Sequence, residues 1–241
     1  MSGQPLGAAV EEGTWRIVLA RTFFGHAWIA RAVFFALLCG ALLALRRGET
    51  PARRAAAAFA ALLLLATISC AGHAAGGIGT DRDAHLVVDG VHLVAAGAWV
   101  GTLLPFVALL REAALAPAGD GTARAWRAAR RFSTLGIACV GALVLTGVVN
   151  ACYMVHGWDA LVDSRYGAEL LAKLSLAAVM VVLAVVNRHW LTPRLARGPD
   201  PEAALHAIVR NAALEIALGF AIVLIVANLG ITEPPMGPMT H

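Results

Sequence analysis

Six long stretches of apolar residues, separated by short polar segments, account for most of the chain. They run over Thr22–Leu45, Ala55–Gly72, His85–Leu110, Phe132–Met154, Gly167–Trp190 and Ala207–Ile231. Roughly 20 apolar residues in a helix span the hydrocarbon core of a bilayer, and in lipid the backbone groups must be satisfied within the segment. Because none of the stretches shows the alternation of a barrel strand, the pattern predicts an all-α protein. We expect a polytopic transmembrane helical bundle with six membrane-spanning helices.

The composition agrees with this interpretation. Hydrophobic residues make up 59% of the 241 positions and charged residues 14%, about half the charged fraction of a soluble domain. The second stretch is short and rich in alanine, which makes it the least typical span. Several prolines, which membrane helices tolerate best at their ends, are predicted to lie at or near span ends: Pro51, Pro105, Pro193, Pro199, Pro201, Pro234 and Pro235.

The distribution of Lys and Arg predicts the orientation. The loops Arg46–Arg54, Arg111–Arg131 and Arg188–Arg210 hold thirteen of the nineteen basic residues, whereas the opposite side holds four. Since basic loops stay in the cytoplasm, both termini are predicted to be periplasmic, and the protein to lie in the bacterial inner membrane. We therefore expect a periplasmic segment over 1–21, a transmembrane domain over 22–231 and a periplasmic tail over 232–241.

The high isoelectric point, about 9.2, does not indicate a nucleic-acid partner, because the basic residues lie in the short loops of a membrane protein. The expected surroundings are the lipid bilayer. The segment Thr122–Arg131 is either a basic interfacial helix on anionic lipid or a solvated loop.

The third span carries a polar stripe. At 100° per residue, His85, Asp89, His92 and Trp99 fall within an arc of about 80°. Ionisable residues inside a membrane are costly and mark a pathway or a binding site, although a buried structural hydrogen bond is the alternative. Small residues, which favour close helix packing, lie on nearly the opposite face: Gly90, Gly97 and Gly101.

Further metal-ligating residue types lie on the predicted periplasmic side. Cys70 and His73 are three residues apart, which places them on one helical face, although Cys70 is equally a small apolar residue. Met236, Met239 and His241 lie in the C-terminal tail, where such residues also occur by chance. Sulfur and imidazole ligands together favour copper, and Cu(I) in particular.

Three further charges fall within spans: Arg31, Lys173 and Glu215. Each needs a partner or a water-filled cavity, either to fix the register of helices or to serve transport. By depth, Arg31 pairs best with Asp89, whereas contact between Lys173 and Glu215 needs a tilted or shifted span.

Several short motifs resemble the copper resistance protein D (CopD) family of bacterial inner-membrane proteins. The resemblance rests above all on Gly72-His73-Ala74 and on the stretch from Asp89 through His92 and Trp99 to Gly101. The remaining matches, spread from Thr22 to Ile231, are Thr22–Gly25 with Trp28 and Arg31, Arg131–Ser133, Thr146–Gly147, Tyr166–Gly167 with Lys173, Asn187–Arg188, and Glu215 with Gly219.

The resemblance implies a role in moving copper across or into the inner membrane, with a small periplasmic copper-binding protein, CopC, as partner. It points to His73, Asp89 and His92 as the metal-related residues, and to Lys173 and Glu215 as matched intramembrane charges. Family members commonly have about eight spans of roughly 20 residues, so this chain is expected to be an N-terminally short member.

Together, residues and resemblance predict a non-enzymatic copper-binding protein of copper transport or resistance, binding Cu(I) or Cu(II) near the periplasmic side. His73 and His92 are the expected ligands, Asp89 orients one of them, and His85 and Cys70 are further candidates. The main alternative is an electron-transfer protein with haem b between two histidines, which a reducible Soret band distinguishes. A third interpretation is a structural protein whose polar stripe serves packing alone.

Overall fold

The computed structural model describes residues 14–71, 79–115, 120–154 and 158–232, and the regular elements in these ranges are helices. In chain order the α-helices are α1 (Thr14–Arg21), α2 (Phe23–Arg46), α3 (Pro51–Ala66), α4 (Gly79–Leu115), α5 (Asp120–Met154), α6 (Trp158–Val162), α7 (Arg165–Val186), α8 (Thr192–Arg197) and α9 (Pro201–Leu229). A 3₁₀ turn, Ser69–Ala71, follows α3, and a π-helical turn, Asn187–Leu191, joins α7 to α8. The prediction of an all-α fold is confirmed.

Five of the six predicted spans correspond to helices that are long and apolar enough to cross a membrane: Phe23–Arg46, Arg82–Leu115, Asp120–Met154, Arg165–Arg197 and Pro201–Leu229. The remaining predicted span, the second in chain order, corresponds to α3. This helix has 16 residues, roughly 24 Å of helix, which is short of the ~30 Å hydrocarbon core. It begins before the predicted span and ends at Ala66. The chain is therefore a multi-pass helical membrane protein whose second span is short.

The helices expose large apolar side chains along their length, among them Phe35 on α2 and Leu145 on α5. In lipid an exposed apolar side chain costs nothing, so burial is needed only where helices touch each other. This explains why long apolar helices here bury few of their residues.

Local sequence sets the starts of α3 and α9 in the same way. Thr50 accepts a hydrogen bond from the Arg53 N–H at 3.2 Å, and Asp200 accepts one from the Ala203 N–H at 2.9 Å. In both helices a proline follows the capping residue, a position where its missing N–H costs nothing.

Two helix starts have a glycine three residues after a hydroxyl cap. Thr22 accepts from the Gly25 N–H at 3.0 Å, and Ser164 accepts from the Gly167 N–H at 2.9 Å. A Cβ on Gly25 would lie 2.1 Å from the Val18 carbonyl oxygen. Only glycine therefore permits the short preceding helix to fold back onto the start of the long one.

Pro105 lies inside α4, ten residues before its end, so the prediction that it falls near a span end is wrong. Proline removes one backbone hydrogen bond from a helix. Membrane helices tolerate this loss because neighbouring groups satisfy the freed carbonyl, and α4 continues to Leu115.

The described residues form two compact units, 1–94 and 95–241. In the first, α2 packs against α3, and Gly25, Ala27, Ala57 and Ala60 are buried. In the second, α7 packs against α9, and the core is built from large side chains and alanines, including Leu103, Leu110, Met180, Leu195, Ile208 and Ala212. A Cβ on Gly219 would approach Val100 Cγ1 to 3.1 Å, which places α9 close to the second half of α4.

Candidate metal site and polar interior

The polar stripe of α4 faces inward in the first unit. His85 is only 7% exposed, and Asp89 and His92 are half-buried. On the other side of the same helix, Val87 and Val91 are 67% and 45% exposed. The helix therefore places its imidazoles and carboxylate toward protein and its valines toward lipid.

Within this stripe, His85 and Asp89 form an electrostatic pair one helical turn apart. Such a pairing fixes the orientation of an imidazole ring and raises its strength as a ligand. His85 and His92 lie about 10 Å apart along the helix. Because of this separation, we expect the second imidazole beside His92 to come from another segment.

The segment that follows α3 packs against the glycine-bearing face of α4, away from the polar stripe. Ser69 is 3% exposed, and its hydroxyl lies 3.7 Å from the position of a Cβ on Gly90. This face of α4 is therefore in van der Waals range of the 3₁₀ turn, where Cys70 is half-buried. Close packing was predicted for all three glycines of α4, but a Cβ on Gly101 would meet nothing within 4 Å.

Arg31, one of the predicted intramembrane charges, is bound to the end of α3. Its guanidinium donates to the Thr67 carbonyl at 3.0 Å and to Thr67 Oγ1 at 3.4 Å. It also stacks on the Trp28 ring, at 4.9 Å from the centroid. These contacts tie α2 to the end of α3, which gives Arg31 a structural role at the short second span.

Part of the predicted site lies outside the described residues. These positions are His73, Met236, Met239 and His241. Within the part of the chain that the structure describes, no group of three or more His, Cys, Asp and Glu side chains converges to hold a metal ion.

The second unit contains a polar network around Glu215, which is fully buried. Asn187 Nδ2 donates to Glu215 Oε1 at 3.1 Å, and Asn211 Nδ2 donates to Asn187 Oδ1 at 2.8 Å. The Thr192 hydroxyl closes the π turn by donating to the Asn187 carbonyl at 2.7 Å. The network therefore joins the π turn to α9.

One edge of this network is incomplete. Glu215 Oε2 and Trp99 Nε1 are buried, and neither has a hydrogen-bond partner among the described residues. The Trp99 indole nevertheless interacts with the Glu215 carboxyl. Trp99, at the inner end of the predicted stripe, thus faces Glu215 of α9.

Lys173 and Glu169 are further charged residues of this unit, and both lie on α7. Lys173 is half-buried on α7, while Glu215 takes its hydrogen bond from Asn187. Near the start of α7, Glu169 accepts hydrogen bonds from Arg165 Nε at 3.0 Å and Asn228 Nδ2 at 2.5 Å. These bonds fasten the start of α7 to the end of α9.

The Glu215 network was only partly visible in the sequence. The sequence indicates Glu215 as a charge within a span, but it identifies neither Asn187, which binds the carboxyl, nor Asn211, which binds Asn187. Asn211 and Glu215 are four residues apart in an apolar helix, so they share a face. That spacing was the available signal, but nothing in the sequence marks the π turn that brings Asn187 to the same point.

Two family models match the chain. The one described as "Copper resistance protein D" matches residues 126–229, and the one described as "Copper resistance protein D-like, N-terminal domain" matches residues 1–84. Lys173 and Glu215 lie in the first matched segment and Arg31 and His73 in the second. The polar stripe of α4 lies between them.

Three curated relatives are similar over nearly the whole chain. "Copper transport protein CutJ" of Bacillus subtilis is 31% identical over 97% of this chain, "Copper resistance protein D" of Pseudomonas syringae pv. tomato 31% over 91%, and "Inner membrane protein YebZ" of Escherichia coli 30% over 91%. The chain spans 41% of the length of the first relative and 72% of the other two. None of these names concerns haem, so nothing here supports the haem alternative. No solved structure matches the chain.

Proposed function

Because the chain belongs to the copper resistance protein D family, we propose that it binds copper within the membrane and aids copper transport or resistance. The observation that carries this proposal is the inward-facing stripe of His85, Asp89 and His92 on α4. In a helix surrounded by lipid, such residues are retained where they bind or conduct something polar.

In the proposed site, His92 and His73 are the copper ligands, and Asp89, three residues before His92 on the same helix face, orients the His92 imidazole. His85 and Cys70 extend the polar wall. Imidazole and sulfur are the ligand types that suit copper, with Cu(I) favoured where sulfur takes part. The names of two relatives, a copper transport protein and a copper resistance protein, support copper as the cargo.

Copper binding to the purified protein in detergent tests the proposal. We expect the wild type to bind copper, measured separately for Cu(I) and Cu(II), and His92→Ala to lose most of that binding. His206→Ala is the matched control, because His206 is exposed on α9 and hydrogen-bonds only to the backbone of its own helix. Equal copper content in the wild type and His92→Ala would show that His92 is not a copper ligand.

We further propose that the site opens toward the periplasm, with both termini on that side. The supporting observation is the excess of basic residues in the three loops assigned to the cytoplasm. In a variant whose native cysteines are replaced, Ala196→Cys in α8, an exposed position, should react with a membrane-impermeant maleimide only after the cells are broken. Labelling of intact spheroplasts would show that α8 lies on the periplasmic side, and the proposed orientation would be wrong.

A soluble periplasmic copper-binding protein of the CopC type is the proposed partner. A site near the periplasmic face would receive copper most directly from such a carrier. Copper-loaded carrier mixed with the purified protein should transfer its metal to the wild type and not to His92→Ala. Absence of transfer to wild-type protein that binds free copper would exclude this partner without excluding the site.

A further inference from the structure

A pocket of about 370 Å³ opens between α5, the π turn and α8, and its charged lining is basic. It is lined by Arg130, Arg188, Arg197 and His189, with the hydroxyl residues Ser133 and Thr134 beside them. No aspartate or glutamate is among the described residues that line it. Across the described ranges, none of these three arginines forms an ion pair with a carboxylate.

Two of the guanidinium groups are held in place. Arg188 Nη1 donates to Ser133 Oγ at 2.8 Å, across from the π turn to α5. Arg130 lies over the Trp126 ring, 5.2 Å from its centroid. Positioned guanidiniums bind phosphate oxygens through paired charge-assisted hydrogen bonds, so the pocket is suited to a phosphate group.

The surface of α5 next to the pocket is suited to an acyl chain. On the face of Thr134, the next residues are Ile137, Gly141, Leu145 and Val148, all exposed, and a Cβ on Gly141 would meet nothing within 4 Å. From Ile137 to Val148 this face extends about 16 Å, which is half of the ~30 Å hydrocarbon core.

From this combination we propose that the pocket is a specific site for an anionic phospholipid. The phosphate lies among Arg130, Arg188 and Arg197, and one acyl chain follows the exposed face of α5 from Ile137. A soluble phosphate would use the arginines but not the apolar face. The proposal goes beyond copper handling, and its test does not involve copper.

Native mass spectrometry of the purified full-length protein tests this site. Cardiolipin, phosphatidylglycerol and phosphatidylethanolamine are added at equal concentrations in detergent. The wild type should retain the two anionic lipids, and Arg188→Gln and Arg197→Gln should each retain them about fivefold less. Arg210→Gln is the control, because Arg210 is exposed on α9 and lies outside the pocket lining.

Two further measurements distinguish a phospholipid from a soluble phosphate in the pocket. Gly141→Phe, which places a ring on the apolar face, should weaken lipid retention, and millimolar inorganic phosphate should leave retention unchanged. Because Arg197 is exposed, Arg197→Gln should melt like the wild type, so its lipid loss reports on the pocket. Equal lipid retention by Arg197→Gln, equal retention of phosphatidylethanolamine, or displacement by phosphate would overturn the proposal.

Discussion

The two units of the molecule solve the problem of polar residues in a membrane in different ways. In the first, His85, Asp89 and His92 form a partly accessible stripe on one helix. In the second, Glu215 is fully buried and is bound by an amide from the π turn, which a second amide holds in place. The first arrangement presents possible metal ligands, whereas the second holds a single buried acid through one neutral amide donor.

This difference assigns the two regions different roles. A metal site needs exchangeable groups that can lose a proton and reach an ion, which imidazoles provide and carboxamides do not. A buried amide network specifies how helices fit together, since each member is costly to leave unsatisfied. The proposed copper site therefore belongs to the first unit, and the buried amide network of the second unit fixes how its helices pack.

Replacement of Asn187 by leucine should have the largest effect on stability. It removes the donor to Glu215 Oε1 and the acceptor for Asn211 Nδ2, leaving two buried polar groups unsatisfied. We expect a loss of about 3 kcal/mol in the free energy of unfolding, measured by unfolding in detergent, with copper affinity unchanged.

The matched control is Asn228→Leu. Its acceptor, Glu169 Oε1, keeps the hydrogen bond from Arg165, so the expected loss is about 1 kcal/mol. Similar stability of the two variants would show that the Glu215 network is not what registers the helices.

Asp89→Asn should weaken copper binding by about 10- to 100-fold, because the neutral amide no longer polarises the imidazole that it orients. Stability should change little, since the side chain keeps its shape. The control is Asp83→Asn on the same helix, where the carboxylate is exposed and pairs with Arg82. Isothermal titration with copper measures the affinity of each variant. Equal copper affinities of Asp89→Asn and Asp83→Asn would show that Asp89 takes no part in the site.

The close approach of α9 to the second half of α4 is tested by alanine at two glycines. In Gly219→Ala the new methyl would lie 3.1 Å from Val100 Cγ1, and we expect a loss of about 1 kcal/mol. At Gly101 the methyl meets nothing within 4 Å, so the better helix propensity of alanine should leave stability unchanged or slightly raised. A stabilised Gly219→Ala would contradict this packing.

Glu215→Gln should have the smallest effect. The amide oxygen still accepts from Asn187, and the amide nitrogen replaces Oε2, so the only new cost is a donor that faces the Trp99 indole N–H. We expect less than about 1 kcal/mol of change in unfolding free energy and wild-type copper binding. A large loss of copper binding by a Glu215→Gln protein of wild-type stability would show that Glu215 takes part in copper handling. The two units would then not have separate roles.

Much of the fold follows from the sequence because lipid imposes simple requirements. Apolar runs of sufficient length must be helices, and the stripe from His85 to His92 follows from helical geometry alone. The elements that were missed depend on tertiary contacts. The π turn needs Thr192 and Asn187 in one network, and Arg31 prefers Thr67 because α3 ends earlier than its apolar composition indicates.

The candidate site was predictable to a smaller extent. Residue type and spacing select Asp89 and His92, and the structure shows that their face is turned toward protein. Sequence spacing does not show which segment lies opposite that face. The contact of Gly90 with Ser69 shows only that the end of the α3 segment packs against the glycine-bearing face of α4.

X-ray absorption at the copper edge of the loaded, purified protein tests the central claim most directly. If His92 binds the metal, the wild-type spectrum contains imidazole scattering, and His92→Ala loses part of it while His206→Ala does not. A His92→Ala spectrum identical to that of the wild type, at equal copper content, would contradict the account.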